Sequence, residues 1–311
     1  MSKKIDIIII GAGPAGISAA IYAKMDNINY LLIEKNKPCW FLEKSINSHY
    51  YVDGFTGVKK HTTGTNLRSL FLDHYKRLGG KIVKDEVVKI RKTRNDNFTV
   101  KTVHDNFITK AIIFASGTDP KTLAIPGTKT YKMNIHHFCT LDGNKYRGKN
   151  VTVVGGRNSG TAAACYLHDI SCKVKLVEIK DSIQCEEKYK KKLGARKIEV
   201  YTSANIVKFV GNNKKLTGVE LKIKGLRKTI ESSGIFLYVG LKPSIAYSNI
   251  NLNTNSEGYI IVDIKNQTSQ PGIFAAGDVT GRLKQAITAC GDGANALYFA
   301  KKYVATLTKK N

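Results

Sequence analysis

The chain has no closely spaced thiol pair. Its six cysteines, Cys39, Cys139, Cys165, Cys172, Cys185 and Cys290, are scattered over 311 residues with no C-x-x-C and no zinc-type spacing. Such dispersal argues against a disulfide framework and against a metal site, and fits reduced thiols in the cytoplasm. Long apolar runs are missing as well. The isoleucine run at 7–10 gives way at once to glycine, and no stretch approaches the roughly 20 apolar residues of a membrane span, so neither a secretory signal nor a membrane anchor is expected. Acidic residues are scarce, 24 Asp and Glu against 50 Lys and Arg, which leaves a formal charge of +26. A field of that sign speeds encounter with acidic partners. The densest basic stretches, EEKYKKKLGARK (186–197) and KKLTGVELKIKGLRK (214–228), lack the interleaved aromatics of a nucleic-acid module, so nucleic acid is not an expected partner.

What is present points to nucleotide binding. The length and a 42% hydrophobic content suit two domains with sizeable cores. KIDIIIIGAGPAGISAAIYAK reads as a buried strand, a tight turn and a helix, with Gly11, Gly13 and Gly16 in G-x-G-x-x-G spacing and Ala12, Pro14 and Ala15 between them. Gly11 permits the turn, Gly13 admits a pyrophosphate and Gly16 allows close helix–strand contact. The next strand, YLLIEK, ends in Glu34 and Lys35. Glu34 stands where an acid accepts a hydrogen bond from a ribose 2'-hydroxyl.

A second unit repeats this plan from Val151, in NVTVVGGRNSGTAAACYL followed by KVKLVEIK. Gly155 and Gly160 hold the outer glycine positions. Gly156, Arg157, Asn158 and Ser159 lie between them, and Arg157 takes the middle position, where its side chain either crowds a pyrophosphate or, turned outward, contacts it. Glu178 ends the following strand and opposes the 2'-phosphate of NADP. Each unit is followed by alternating strands, a duplication of architecture.

GAGPAG, FASGTDPKTLAIPG, GIFLYVGLKPS and GIFAAGDVTGRLKQAITACGDGANAL occur in the order of the low-molecular-weight thioredoxin reductase family, and the chain resembles that family over nearly its whole length. These are FAD enzymes of the pyridine nucleotide-disulfide oxidoreductase superfamily. The resemblance implies an α/β fold of two Rossmann-like, three-layer ββα nucleotide-binding domains, the second inserted in the first. FAD would be bound by 1–114 and 246–311, a NAD(P)-binding-like domain would span 115–245, and the protein would be a homodimer. Gly11 through Gly16 would hold the FAD pyrophosphate, Glu34 and Lys35 the adenosine end, and Val87 the adenine. Ser116 and Gly117 would pass near the cofactor. Gly277 and Asp278 would meet its ribityl or pyrophosphate portion, while Lys284, which replaces a common Arg, Gln285 and Ala286 would aim helix amides at the flavin. Trp40, Tyr50 and Tyr51 are candidates to cover its ring, with simple core packing as the plainer use.

The resemblance also exposes a loss. The family has C-x-x-C directly before Asp-Gly; with Asp142-Gly143 at that place, the two thiols have become Phe138 and Leu141. Cys139 falls between them and replaces neither. Asp142, the family's proton donor, remains and reads here as a helix or turn cap. The triplet and following Arg that grip NADP phosphate correspond to Glu178, Ile179, Lys180 and Gln184, which disfavours NADPH. Cys39 and Cys290 are the remaining candidates for a thiol pair, packing being the commoner use of buried thiols. The expected function is FAD-dependent electron exchange with an acidic carrier such as ferredoxin or flavodoxin, as in thioredoxin-reductase-like, ferredoxin-linked flavoproteins. Alternatives are NADH oxidation with a small acceptor, or a non-catalytic flavoprotein whose second pocket holds another ligand such as a second flavin.

Overall fold

A computed structural model describes residues 3–44, 51–93, 96–245 and 250–308. Tyr50 lies outside them. The chain divides into two compact units, one made of 1–43, 50–119 and 242–311, the other of 44–49 and 120–241.

The first unit opens with β1 (Lys3–Ile10), α1 (Pro14–Met25), β2 (Tyr30–Glu34) and α2 (Trp40–Lys44). It continues through α3 (Gly64–Arg77), β3 (Ile82–Lys84), β4 (Val87–Lys92), β5 (Phe98–Thr102) and β6 (Asn106–Phe114). Its sheet runs β3-β2-β1-β6-β5-β4, parallel from β3 to β6 and antiparallel beyond. The isoleucines of β1 alternate as strand geometry demands. Ile7 and Ile9 pack with the small residues of α1, whereas Ile8 and Ile10 pack on the other face with Val87, Phe98 and Ile260. Burial on both faces is why that run is continuous rather than alternating.

After β7 (Thr118–Pro120) the second unit follows: β8 (Ile135–His136), α4 (Cys139–Asp142), β9 (Asn150–Val154), α5 (Asn158–Asp169), β10 (Lys173–Val177), α6 (Glu187–Ala195) and β11 (Glu199–Tyr201). Then come β12 (Ala204–Asn212), β13 (Lys215–Ile223), β14 (Leu226–Glu231) and β15 (Gly234–Leu237). Its parallel sheet runs β11-β10-β9-β15-β8, and β12-β13-β14 form a separate antiparallel sheet. The chain returns through β16 (Leu241–Pro243), which pairs with β7, to β17 (Ile273–Ala275) beside β6 and the long α7 (Ala286–Thr308). Both units thus carry a strand–turn–helix–strand start, three antiparallel strands and a closing parallel strand. No described helix is long and apolar enough to cross a membrane, and no cluster of metal-binding side chains occurs among the described residues.

Candidate functional site

The turn between β1 and α1 is shaped by three glycines with different jobs. Gly11 has φ 101°, and a Cβ there would run into the Ala115 carbonyl; a Cβ on Gly16 would run into the carbonyl of Gly11. Gly13 has ordinary extended backbone, φ −77° and ψ −175°, and a Cβ on it meets nothing within 4 Å. The outer glycines therefore serve the fold and the middle one keeps space open. That space lies before the first turn of α1, whose N-terminus carries Pro14 and no side-chain cap. Its free amides and the helix dipole suit an anion.

Glu34, 8% exposed, closes this cradle from the side. One carboxylate oxygen accepts from the Ala12 N–H and the other from the Asn36 N–H, each at 2.7 Å. The acid therefore braces the turn, a role its spacing did not disclose. A carboxylate offers about four acceptor positions, which leaves capacity for a ribose hydroxyl. Lys35 is exposed and reaches Glu86 at 3.8 Å. Val87 is buried in the core with Ile8, Ile10 and Ile33, so it has only main chain to offer a base.

At the end of β6 the Ser116 hydroxyl oxygen is buried without a hydrogen-bond partner, beside Gly117 at φ 64°. From the C-terminal segment, Gly277 packs near Ala15 and Ala289, and its N–H donates to Asp292 at 3.2 Å. Burial pushes the Asp278 carboxyl up; the ammonium of Lys284 opposes this and Asp292 adds to it. Lys284 itself lies 4.5 Å over the Tyr259 ring. Gln285 is exposed, its side-chain oxygen beside Gly54, and Ala286 opens α7. The uncapped helix, the gap at Gly13 and the orphaned Ser116 hydroxyl fit a dinucleotide such as FAD. Tyr51 does not join the core: it is 51% exposed and packs edge-on against His61 at 4.2 Å. Trp40 is half-buried against Phe41.

The second unit copies this arrangement. Gly155 has φ 111°, and Cβ atoms on Gly155 and Gly160 would strike the carbonyls of Tyr238 and Gly155. Glu178 accepts from the N–H of Gly156 with one oxygen and from that of Lys180 with the other, as Glu34 does with Ala12 and Asn36. Arg157 has φ −84° and ψ 178°, nearly the backbone of Gly13, so losing glycine here costs no strain. The side chain is exposed. Asn158 binds Glu186, its amide donating at 2.6 Å and its oxygen accepting at 2.9 Å, and Ser159 is exposed. Ile179 is 66% exposed beside Glu178, an apolar surface for a base.

The loop before β9 holds no reachable thiol pair. Leu141 is exposed, whereas Cys139 is fully buried; its N–H donates to the Tyr238 hydroxyl at 3.1 Å, and burial pushes its thiol up to about 12. Asp142 corrects an expectation. It stands at the N-cap position of the 3-10 turn Gly143–Tyr146, but its side chain makes no capping hydrogen bond and instead pairs with Lys145 at 2.6 Å and with Nδ1 of His136 at 3.2 Å. The other nitrogen of His136 lies 2.7 Å from the Tyr146 hydroxyl. Burial lowers the His136 pKa, with Asp142 opposing and Lys145 assisting.

The sequence profile of the pyridine nucleotide-disulphide oxidoreductase family matches residues 5–293. A 34.2 kDa protein of a rubredoxin operon in Clostridium pasteurianum is 32% identical over 97% of this chain and 98% of its own length. The thioredoxin reductase of Listeria monocytogenes is 31% identical over 98% and 95%. Among solved structures, thioredoxin reductase from T. acidophilum superposes with a TM-score of 0.87 at 33% identity, covering 98% of this chain and 100% of that one. The FR conformation of the Lactococcus lactis enzyme gives 0.89 at 30% identity, covering 97% and 99%.

Proposed function

The chain belongs to the pyridine nucleotide-disulphide oxidoreductase family and is an FAD-dependent oxidoreductase of thioredoxin reductase-like fold; we propose that it exchanges electrons between its flavin and an acidic protein carrier of the ferredoxin or flavodoxin kind. The observation that carries this reading is the loop at 138–142. Phe138 and Leu141 replace the thiols, and the sulfur that the loop itself retains, Cys139, is buried, with burial holding its thiol protonated. A relay of electrons through that loop to a disulfide has no carrier there. The charge of +26 favours an acidic partner, and a relative from a rubredoxin operon supports an electron carrier.

In this reading the α1 N-terminus and Gly13 hold the pyrophosphate, Glu34 the adenosine ribose and Ser116 a polar group of the cofactor. The N-terminal dipole of α7, reached through Gln285 and Ala286, stabilises negative charge near it. When bound, FAD supplies the electron transfer; the protein supplies position and electrostatics. A homodimer in the cytoplasm is the expected working form.

The Glu178 brace favours a second reading, in which the inserted unit holds an adenosine nucleotide with a free ribose 2'-hydroxyl, either NADH or a second flavin, rather than NADPH. Gly155, Gly156, Asn158 and Ser159 would line its phosphates, with Arg157 reaching them from outside. Stopped-flow reduction with NADH, NADPH and reduced ferredoxin separates these readings. Rapid bleaching by ferredoxin supports the carrier; bleaching by NADH alone favours a nicotinamide route. Flavin that stays oxidised with all three removes both. Flavin released by denaturation, counted per chain, tests for a second one.

A further inference from the structure

Cys39 and Cys290 reach the same turn from distant parts of the sequence. The Cys39 thiol donates to the Ala12 carbonyl at 3.3 Å, and the Cys290 thiol lies 3.7 Å from that of Pro14. The two sulfurs thus sit against carbonyls two residues apart on the cofactor-binding turn. Neither position is loose. The Cys39 N–H also donates to Ala12 at 2.9 Å, and the Cys290 carbonyl accepts from the Ser18 hydroxyl at 2.7 Å. Cys39 holds φ 51°, a left-handed conformation that residues other than glycine adopt at a cost, and such outliers cluster at functional sites. Cys39 is buried, and Cys290 is partly open.

We propose that Cys39 and Cys290 form a dithiol/disulfide couple within the flavin-binding unit, in place of the thiols missing at Phe138 and Leu141. The proposal rests on the reading that FAD occupies the Gly11–Gly16 turn. In the reducing direction the sulfur–sulfur bond breaks and two S–H bonds form. Two electrons and one proton come from the anionic reduced flavin, which becomes oxidised, and the second proton comes from solvent on the more open side of Cys290. Burial pushes both thiols up to about 12, and among charge effects on Cys39 that of Cys290 ranks first. Both members of the couple are therefore uncharged, so electron exchange leaves no ion in a dry site.

The test uses the full chain, reduced and then exposed overnight to excess diamide, denatured in acid, alkylated and mapped by mass spectrometry. Oxidation should remove two of the six alkylatable cysteines and yield a peptide joining Cys39 to Cys290. Anaerobic dithionite titration of oxidised, flavin-loaded protein should take up about twice the electrons per flavin taken up by Cys39→Ser or Cys290→Ser. Six alkylated cysteines, a bridge between other residues, or equal electron uptake in all three flavin-loaded proteins would overturn the couple while leaving the cofactor reading intact. The Cys39–Cys290 peptide in protein that refuses flavin would sustain the couple and remove the cofactor reading.

Discussion

Gly13 and Gly16 lie three positions apart in one turn, yet their alanine variants should fail in opposite ways. Gly16→Ala drives a Cβ into the Gly11 carbonyl and should lower thermal stability by about 1–3 kcal/mol or more, as overpacking does. Gly13→Ala meets open space and a permitted backbone, so stability should change by no more than about 0.5 kcal/mol. Its flavin affinity, read by fluorescence titration, should fall about tenfold or more, because the methyl group occupies the phosphate's approach. Glu178→Gln gives a further check. Glutamine has one acceptor oxygen for the two N–H donors of Gly156 and Lys180 and turns an amide N–H toward the other, so denaturant melts should show a loss of about 1–3 kcal/mol. The glycine spacing was legible because sterics leave few choices there. The bracing by Glu34 and Glu178 was not, since an acid at a strand end has the same spacing whether it faces a ribose or its own backbone. Asp142 misled for a related reason: its partner His136 approaches through the packing of β8 against β15, which no local pattern announces.

At the scale of elements, α1 and α7 meet through residues too small to hold them apart. A Cβ on Gly293 would enter the Ala15 carbonyl, and the same helix carries Ala286 and Cys290 toward the turn. Gly293→Ala should therefore both destabilise the fold, by roughly 1–3 kcal/mol in a thermal melt, and weaken flavin binding, coupling two effects that Gly13→Ala separates. The loop around β8 and α4 should respond to acid. Burial holds the folded-state pKa of His136 and His137 below their usual value, with Asp142 opposing this at His136. A base with a lowered folded pKa binds fewer protons than the unfolded chain, so its contribution is intact above the ordinary histidine range and lost as pH falls through about 6.5. Melting curves from neutral to mildly acidic pH should show this loss, and His136→Gln combined with His137→Gln should flatten it. The strands and helices were largely readable, because the continuous apolar run of β1 and the alternation after each unit are local. The candidate pair Cys39 and Cys290 came from the family resemblance and not from any local pattern, since their convergence depends on how α7 crosses α1.

At the scale of the molecule, the excess of cations acts through distance rather than contact. Association with an acidic carrier should slow by about tenfold or more between low and high salt, measured by stopped flow, whereas reduction by a small uncharged donor should barely change. The duplicated plan was visible in the order of motifs. What the fold adds is that duplication reaches individual atoms: the same carboxylate grip and the same two outer glycines recur in both units, while the inner turn residues differ, with Gly13 in one and Arg157 in the other at the middle position. A truncated nucleotide such as ADP, which carries the adenosine and diphosphate without any redox ring, should consequently find two berths of unequal depth. Its calorimetric titration would be biphasic, and replacing Arg157 by glycine would draw the two phases together, making the protein's own halves each other's control.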